Sequence, residues 1–167
     1  MLKSVRKWFV DQKPSGSLCL IIGAITVATF WVCLEYFLGY RPVTHDHTVH
    51  FVNAWRLKEQ VFNGYGIHHW TQGHFVGYPN NYFYPIGAYL WIFLVYVCSF
   101  GIASFDQAYA ITFALFVLFR NLSAFFLGAY FGRSFWAGLI SFLIIFADPG
   151  SGERGGYYTI SYGVWPS

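Results

Sequence analysis

The chain has 167 residues, of which 56% are hydrophobic, 23% aromatic and only 10% charged, against roughly 25% charged in an average soluble domain. This composition excludes a disordered chain, which needs high charge and low hydrophobicity, and argues against a soluble domain, which needs charge to cover its surface. What remains is an all-α, polytopic membrane bundle, with room for three or four spans of about 20 residues each and one sizeable loop.

The net charge of +3 comes without any basic run dense enough for nucleic acid, so no nucleic-acid partner is expected. Residues 1–16 hold Lys3, Arg6, Lys7 and Lys13. By the excess of cations on cytoplasmic segments, they put the N-terminus in the cytoplasm. The first apolar run, residues 17–40, is too long for a signal-peptide core and is read as a transmembrane helix with Glu35 as its only charge. Cys19, Cys33 and Cys98 all lie in apolar stretches and form no disulfide or zinc framework.

Residues 41–83 then face outside. All six histidines of the chain, His45, His47, His50, His68, His69 and His74, fall in this segment. Asp46 is a good helix-capping type ahead of residues 49–62, and Asn63-Gly64 is a stop signal. Asp46, His50 and Asn53 follow i, i+4, i+7 spacing, so a carboxylate and an imidazole can share a face, as a base with an orienting partner or as ligands of a divalent metal. His47 and His45 add an HxH spacing of the kind that suits copper or zinc. The alternative is a capping Asp beside an interfacial His. The second half alternates aromatics with Gly, Pro and Asn, as suits either a membrane-interface belt or stacking on a sugar or polyprenyl chain.

Residues 84–100 read as the second span, and residues 107–131 as the third, with Arg120 and Asn121 at its middle. A charge at the bilayer centre costs at least ~2.5 kcal/mol, so Glu35 and Arg120 are expected to pair with each other or with another subunit, or Arg120 to reach a lipid phosphate or another anionic cofactor. Ala124, Gly128 and Gly132 form a small-residue stripe for a close partner helix, within the chain or in another membrane subunit. Residues 134–147 are short for a full span and read as transmembrane or re-entrant. In this count the turn at Arg133 faces outside, against the charge rule. Residues 148–167 form a Gly-rich tail.

The order Asp46-x-x-x-His50, Trp55, Gly64, Trp70, Gly77-Tyr78-Pro79 and Phe83-Tyr84-Pro85 resembles the first outer loop of a family of large bacterial and archaeal membrane proteins with GT-C-type glycosyltransferase architecture, some of them labelled pterin-synthase-related. The segments Asp148-Pro149-Gly150-Ser151, Gly155-Gly156 and Gly163-Val164-Trp165-Pro166 are similar to that family's next loop. The resemblance implies sugar transfer from a polyprenyl-phosphate carrier on the outer face of a bacterial inner (plasma) membrane. Asp46 would then be base or metal ligand beside His50, Asp148 or Glu153 a second acid, and His50, Arg56 or Arg154 the cation for the lipid phosphate. Family members usually have several hundred residues and many more spans. The chain is therefore expected to be an N-terminal part of such an enzyme. The alternative is a non-catalytic subunit that packs onto a larger complex and binds lipid, pigment or metal.

Overall fold

The computed structural model describes residues 16–43, 46–67, 70–71, 78–79 and 86–147. In chain order these form helices α1 (Gly16–Val32), α2 (Leu34–Phe37) and α3 (Asp46–Phe62), short strands β1 (Trp70–Thr71) and β2 (Tyr78–Pro79), then helices α4 (Ile86–Cys98), α5 (Phe105–Gly132) and α6 (Phe135–Ala147). The all-helical expectation holds apart from the strands, which pair antiparallel with Trp70 opposite Pro79.

The boundaries have local causes. Ser104 and Gln107 form a reciprocal cap at the start of α5: Gln107 N–H donates to Ser104 Oγ at 3.2 Å, and Ser104 N–H to Gln107 Oε1 at 2.8 Å. This satisfies two of the donors that a helix start leaves open. At the far end Arg133 adopts a left-handed φ of 48° and its N–H donates to Ala129 O. Ser134 then caps α6 by accepting from Trp136 N–H. Two glycines end helices in the same way. Tyr40 N–H donates to Glu35 O beyond Gly39 (φ 88°), and Tyr65 N–H donates to Gln60 O beyond Gly64 (φ 77°). Both are the six-to-one closure that a left-handed residue allows. α1 and α2 are one helix with a single irregular residue, since Cys33 N–H still donates to Thr29 O and Phe37 N–H to Cys33 O.

α5 is the axis of the fold. Its first turns, at Phe105 and Tyr109, pack with Ala54 and Leu57 of α3 and Tyr89 and Ile92 of α4. Phe113, Ala114 and Val117 pack on Cys33, with Tyr36 and Phe37 of α2 alongside. Phe125 packs with Ile25 of α1 and Phe142 of α6. Contacts thus descend α1 as they ascend α5, so the two helices are antiparallel. Where α2 ends, Arg41 Nε meets Asp106 Oδ1 at 2.9 Å at the start of α5. A Cβ on Gly39 would lie 2.7 Å from Gln107 Cγ. The half-exposed ion pair is worth only about 0–1 kcal/mol; its value is as a marker of which chain ends coincide.

α4 occupies most of residues 84–100, the expected second span. A single crossing there would put the end of α2 and the start of α5 at opposite ends of the bundle, whereas they adjoin. α4 has 13 residues, about 20 Å at 1.5 Å per residue, and runs back to the end where α1–α2 finishes, Tyr96 meeting Phe105 edge-on. Arg133, at the other end of α5, consequently lies at the same end as the start of α1.

The small-residue stripe has found its partner inside the chain. A Cβ on Gly128 would collide with Ser141 and come within 2.9 Å of Ala137 O; one on Gly132 would collide with Ala137. From the other side, a Cβ on Gly138 would sit 2.7 Å from Phe125 O. α6 therefore fills the face that was open to a second subunit, because a two-residue turn returns the chain directly onto it. Among the described residues, α5 alone is long and apolar enough to cross a membrane by itself; Leu18–Val32, α4 and α6 are shorter apolar helices.

Gly138→Val should destabilise the α5–α6 hairpin by about 1–3 kcal/mol, the usual cost of overpacking a close contact. Gly87→Val, where nothing lies within 4 Å, is the control, and thermal unfolding in mild detergent measures both.

Candidate functional site

The face that α3 turns inward is polar. His47, His50, Asn53 and Gln60 are all at most 8% exposed, alongside Ala54 and Leu57. Trp55 and Phe62 are exposed, although the Phe62 ring still meets Phe93 and Tyr96 of α4. This is the reverse of an amphipathic helix on a water-soluble core, and buried polar groups must find partners. Here α4 and α5 provide them. His50 Nδ1 lies 2.9 Å from Tyr89 Oη. His47 Nδ1 lies 3.3 Å from Tyr109 Oη, whose hydroxyl donates to His47 O at 3.1 Å. The His47 ring also meets Phe113 edge-on at 4.7 Å between centroids. Three residues apart on one helix, the two imidazoles therefore address two different helices. Each ring is fixed through its Nδ1 by a tyrosine hydroxyl.

Beside this row, Arg41 connects two elements at once. Its guanidinium lies 3.8 Å over the Phe51 ring while it pairs with Asp106. Farther along α3, Lys58 Nζ approaches Trp55, Tyr96 and Phe105 at 5.3–5.8 Å from their centroids and pairs with Glu59 at 2.9 Å. Thr112 Oγ1 and Gln60 Oε1 are buried with no hydrogen-bond partner among the described residues.

The expected site residues divide as follows. His47 and His50 come together with Asn53 on one buried face. Arg56 is on the same helix and half-buried. Asp46 is the first residue of α3, and its side chain lies outside what is described. His45, Asp148, Glu153 and Arg154 lie outside the described residues altogether. No cluster of three or more metal-ligating side chains occurs among the described residues.

Arg120 belongs to a second polar layer. It stands eleven residues beyond Tyr109, about 16 Å along the helix. Its Nη2 donates to Asn121 Oδ1 at 3.2 Å, and Asn121 Nδ2 donates to Thr29 Oγ1 at 2.9 Å. The expected Glu35–Arg120 pair does not form. Glu35 is exposed, and it lies about 9 Å nearer the Arg41 end than Thr29, which stands at the Arg120–Asn121 level. The apolar run offered a threonine at the right depth, and α5 uses it.

Tyr89, Tyr109 and Thr29 were the residues missed from sequence. Their signal was slight: a hydroxyl in an otherwise apolar helix, where Phe or Val would fit as well.

No known family model, curated protein or solved structure matches the chain.

Tyr89→Phe should cost about 1–3 kcal/mol, because it removes the hydroxyl that serves a buried imidazole. Thr112→Val should be neutral or stabilising by up to about 1 kcal/mol, since it deletes a buried hydroxyl that has no partner among the described residues. Denaturant unfolding of the two variants side by side measures the contrast.

Proposed function

We infer that the chain is a multi-pass membrane protein of the bacterial inner membrane, and that it forms the N-terminal, outer-loop-bearing part of a GT-C-type glycosyltransferase. The observation that carries this reading is the buried row His47, His50 and Asn53 on α3, at the end of the bundle where α1–α2 finishes and α5 begins. That end is opposite Arg133. With Lys3, Arg6, Lys7, Lys13 and Arg133 on the cytoplasmic side, the row belongs to the outer face. There a polyprenyl-phosphate sugar would meet its acceptor.

In this arrangement α1–α2 and α5 cross the membrane in opposite directions. Residues 41–104 lie between two points on the outer face, so they make an even number of crossings or none. α5 has 28 residues and spans about 42 Å, against a hydrocarbon core of about 30 Å. Its first turns therefore stand above the core, at the depth where α3 and α4 pack.

The chemistry required is modest. An acceptor hydroxyl must lose a proton as its oxygen bonds the anomeric carbon, and the carrier leaves as its phosphate. Asp46 and the two imidazoles supply proton acceptors, and Arg56 a cation for the lipid phosphate. Imidazoles held through Nδ1 by a hydroxyl are oriented as metal-ligating histidines usually are. A divalent ion would thus fit His47, His50 and Asp46 in kind, and would polarise the acceptor oxygen. Asp148, Glu153, Arg154 and Arg120 are candidates for the second acid and for further phosphate contacts.

A second reading, a non-catalytic subunit of a larger complex, is favoured by Phe100 and Ile102, 91% and 89% exposed in the α4–α5 turn.

Two experiments test these statements. In a background where the native cysteines are Ser, cysteine at Thr44 and at Ile102 should both label from outside intact cells, and cysteine at Arg133 only after permeabilisation. Labelling of residue 102 from the inside alone would restore a single crossing by α4. Transfer from a polyprenyl-phosphate sugar by the full native gene product should fall at least a hundredfold in Asp46→Asn. A full-length product that turns over no lipid-linked sugar but co-purifies with larger membrane partners would support the subunit reading instead.

A further inference from the structure

α3 carries its polarity inside out: His47, His50, Asn53 and Gln60 are buried, while Trp55 and Phe62 are exposed. Phe62 meets Phe93 and Tyr96 of α4 edge-on. Its apolar face therefore runs on into the exposed Leu94 and Val97 of α4, and then into Phe100 and Ile102 of the α4–α5 turn. From Tyr84 to Phe105 the chain has no charged residue.

The turn keeps its backbone satisfied from within. Among residues 99–104, every N–H but that of Gly101 has an acceptor in the chain. Ser99 donates to Val95 O, Phe100 to Val97 O and Ile102 to Ser99 O. Ala103 donates to Ser99 Oγ at 3.3 Å and Ser104 to Gln107 Oε1. The Ser99 hydroxyl itself donates to Tyr96 O at 2.7 Å. Lipid demands such closure, because it offers no hydrogen bonds; water does not. Phe100 also holds a left-handed φ of 51°, uncommon for a bulky side chain. No ring contact among the described residues offsets that strain, so the fold alone gives no reason for Phe here. The nearest cations are already matched. Lys58 pairs with Glu59 while lying over Tyr96 and Phe105, and Arg41 pairs with Asp106.

We propose that this outward face of α3, α4 and their following turn is seated in lipid, at the boundary between the headgroups and acyl chains of one leaflet, with Phe100 and Ile102 as its anchor. The proposal rests on reading α5 as a membrane span, and goes beyond it by naming what covers the face. Depth supports it. The 28 residues of α5 span about 42 Å, close to the roughly 40–45 Å of a bilayer with its headgroup layers. Its first turn then stands in the headgroup layer, and Phe105 and Tyr109 of α5 pack there against α3 and α4. A protein partner would instead need directional polar contacts, roughly one hydrogen bond per 100–200 Å², and α4 and its turn hold few groups free to make them. A seat among headgroups stays within reach of small aqueous reagents, so it accords with labelling of residue 102 from outside.

The test is the accessibility of nitroxide labels on the full native gene product in lipid nanodiscs, in a background where the native cysteines are Ser. Trp55→Cys, Leu94→Cys and Ile102→Cys sample the face. Phe119→Cys, exposed halfway down α5, gives the value for the hydrocarbon core. Oxygen concentrates in lipid and a nickel chelate in water. All three labels should show an oxygen-to-chelate ratio above that of free label in buffer and below that at Phe119. The ratio should be the same in wholly zwitterionic discs as in discs containing anionic lipid. A ratio equal to that of free label would put the face in water. Low access to both quenchers would mean that protein covers it, as the subunit reading requires. A ratio that rises only with anionic lipid would assign the seat to the cations. Each of these results overturns the proposal. If Phe119 itself reads as water, the membrane reading of α5 fails and takes the proposal with it. Phe119 in the core with the three labels in water sinks the proposal alone.

Discussion

Everything in this molecule is registered against one long helix, and one side-chain hydrogen bond pins the register. Asn121, completely buried halfway down α5, donates to Thr29 of α1. A polar amide in an apolar layer costs several kcal/mol if left alone, so the helices cannot slide past one another by a turn without breaking it. Around this point the apolar contacts fall into sequence, Phe125 on Ile25 to one side and Phe113 on Cys33 to the other. Polar contacts between membrane helices are individually worth only about 0.6–2 kcal/mol. Their larger effect is to choose one alignment among several that are equally apolar.

With that register fixed, the rest of the path is constrained. α2 ends where α5 starts, so everything between must depart from and return to the same end. The segment does so by laying α3 and α4 against the first turns of α5, which leaves α3 with an unusual environment. Two helices press on it, and both present tyrosines, which are apolar in bulk and polar at the tip. The two histidines can be buried there because each imidazole meets a hydroxyl rather than a methyl group. The polar face and the tyrosines therefore belong to one design: neither would be stable facing the other's usual partner.

Much of this was legible in the residues. Asn63-Gly64 stops α3 where the turn chemistry says it should, and the Ala124–Gly128–Gly132 spacing announced a close approach. The apolar run suggested Gln107 as the first residue of α5, and the Ser104–Gln107 cap that starts the helix at Phe105 went unread. What hydrophobicity could not convey was direction. An apolar segment such as Ile86–Cys98 reads the same whichever way it runs. Arg41 meeting Asp106, 65 positions apart in the chain, and Gly39 lying against Gln107 fix which ends coincide. The glycine stripe likewise said that something comes close, but not what. The answer lay in the brevity of the Arg133–Ser134 turn. The histidines were visible as a cluster, whereas their tyrosine partners looked like any aromatic residue in a lipid-facing run.

The bond between Thr29 and Asn121 joins residues 92 positions apart. At the usual 5–20 residues per second of synthesis, α1 emerges roughly 5–18 seconds before its partner exists. During that interval the Thr29 hydroxyl has only its own helix to turn to. Thr26 illustrates the refuge, donating to Ile22 O one turn back at 2.8 Å. α5 and α6, by contrast, arrive almost together. Assembly would thus begin with a solitary helix, continue through the whole segment between α2 and α5, and end when a ready-made hairpin recruits the helix that had been waiting.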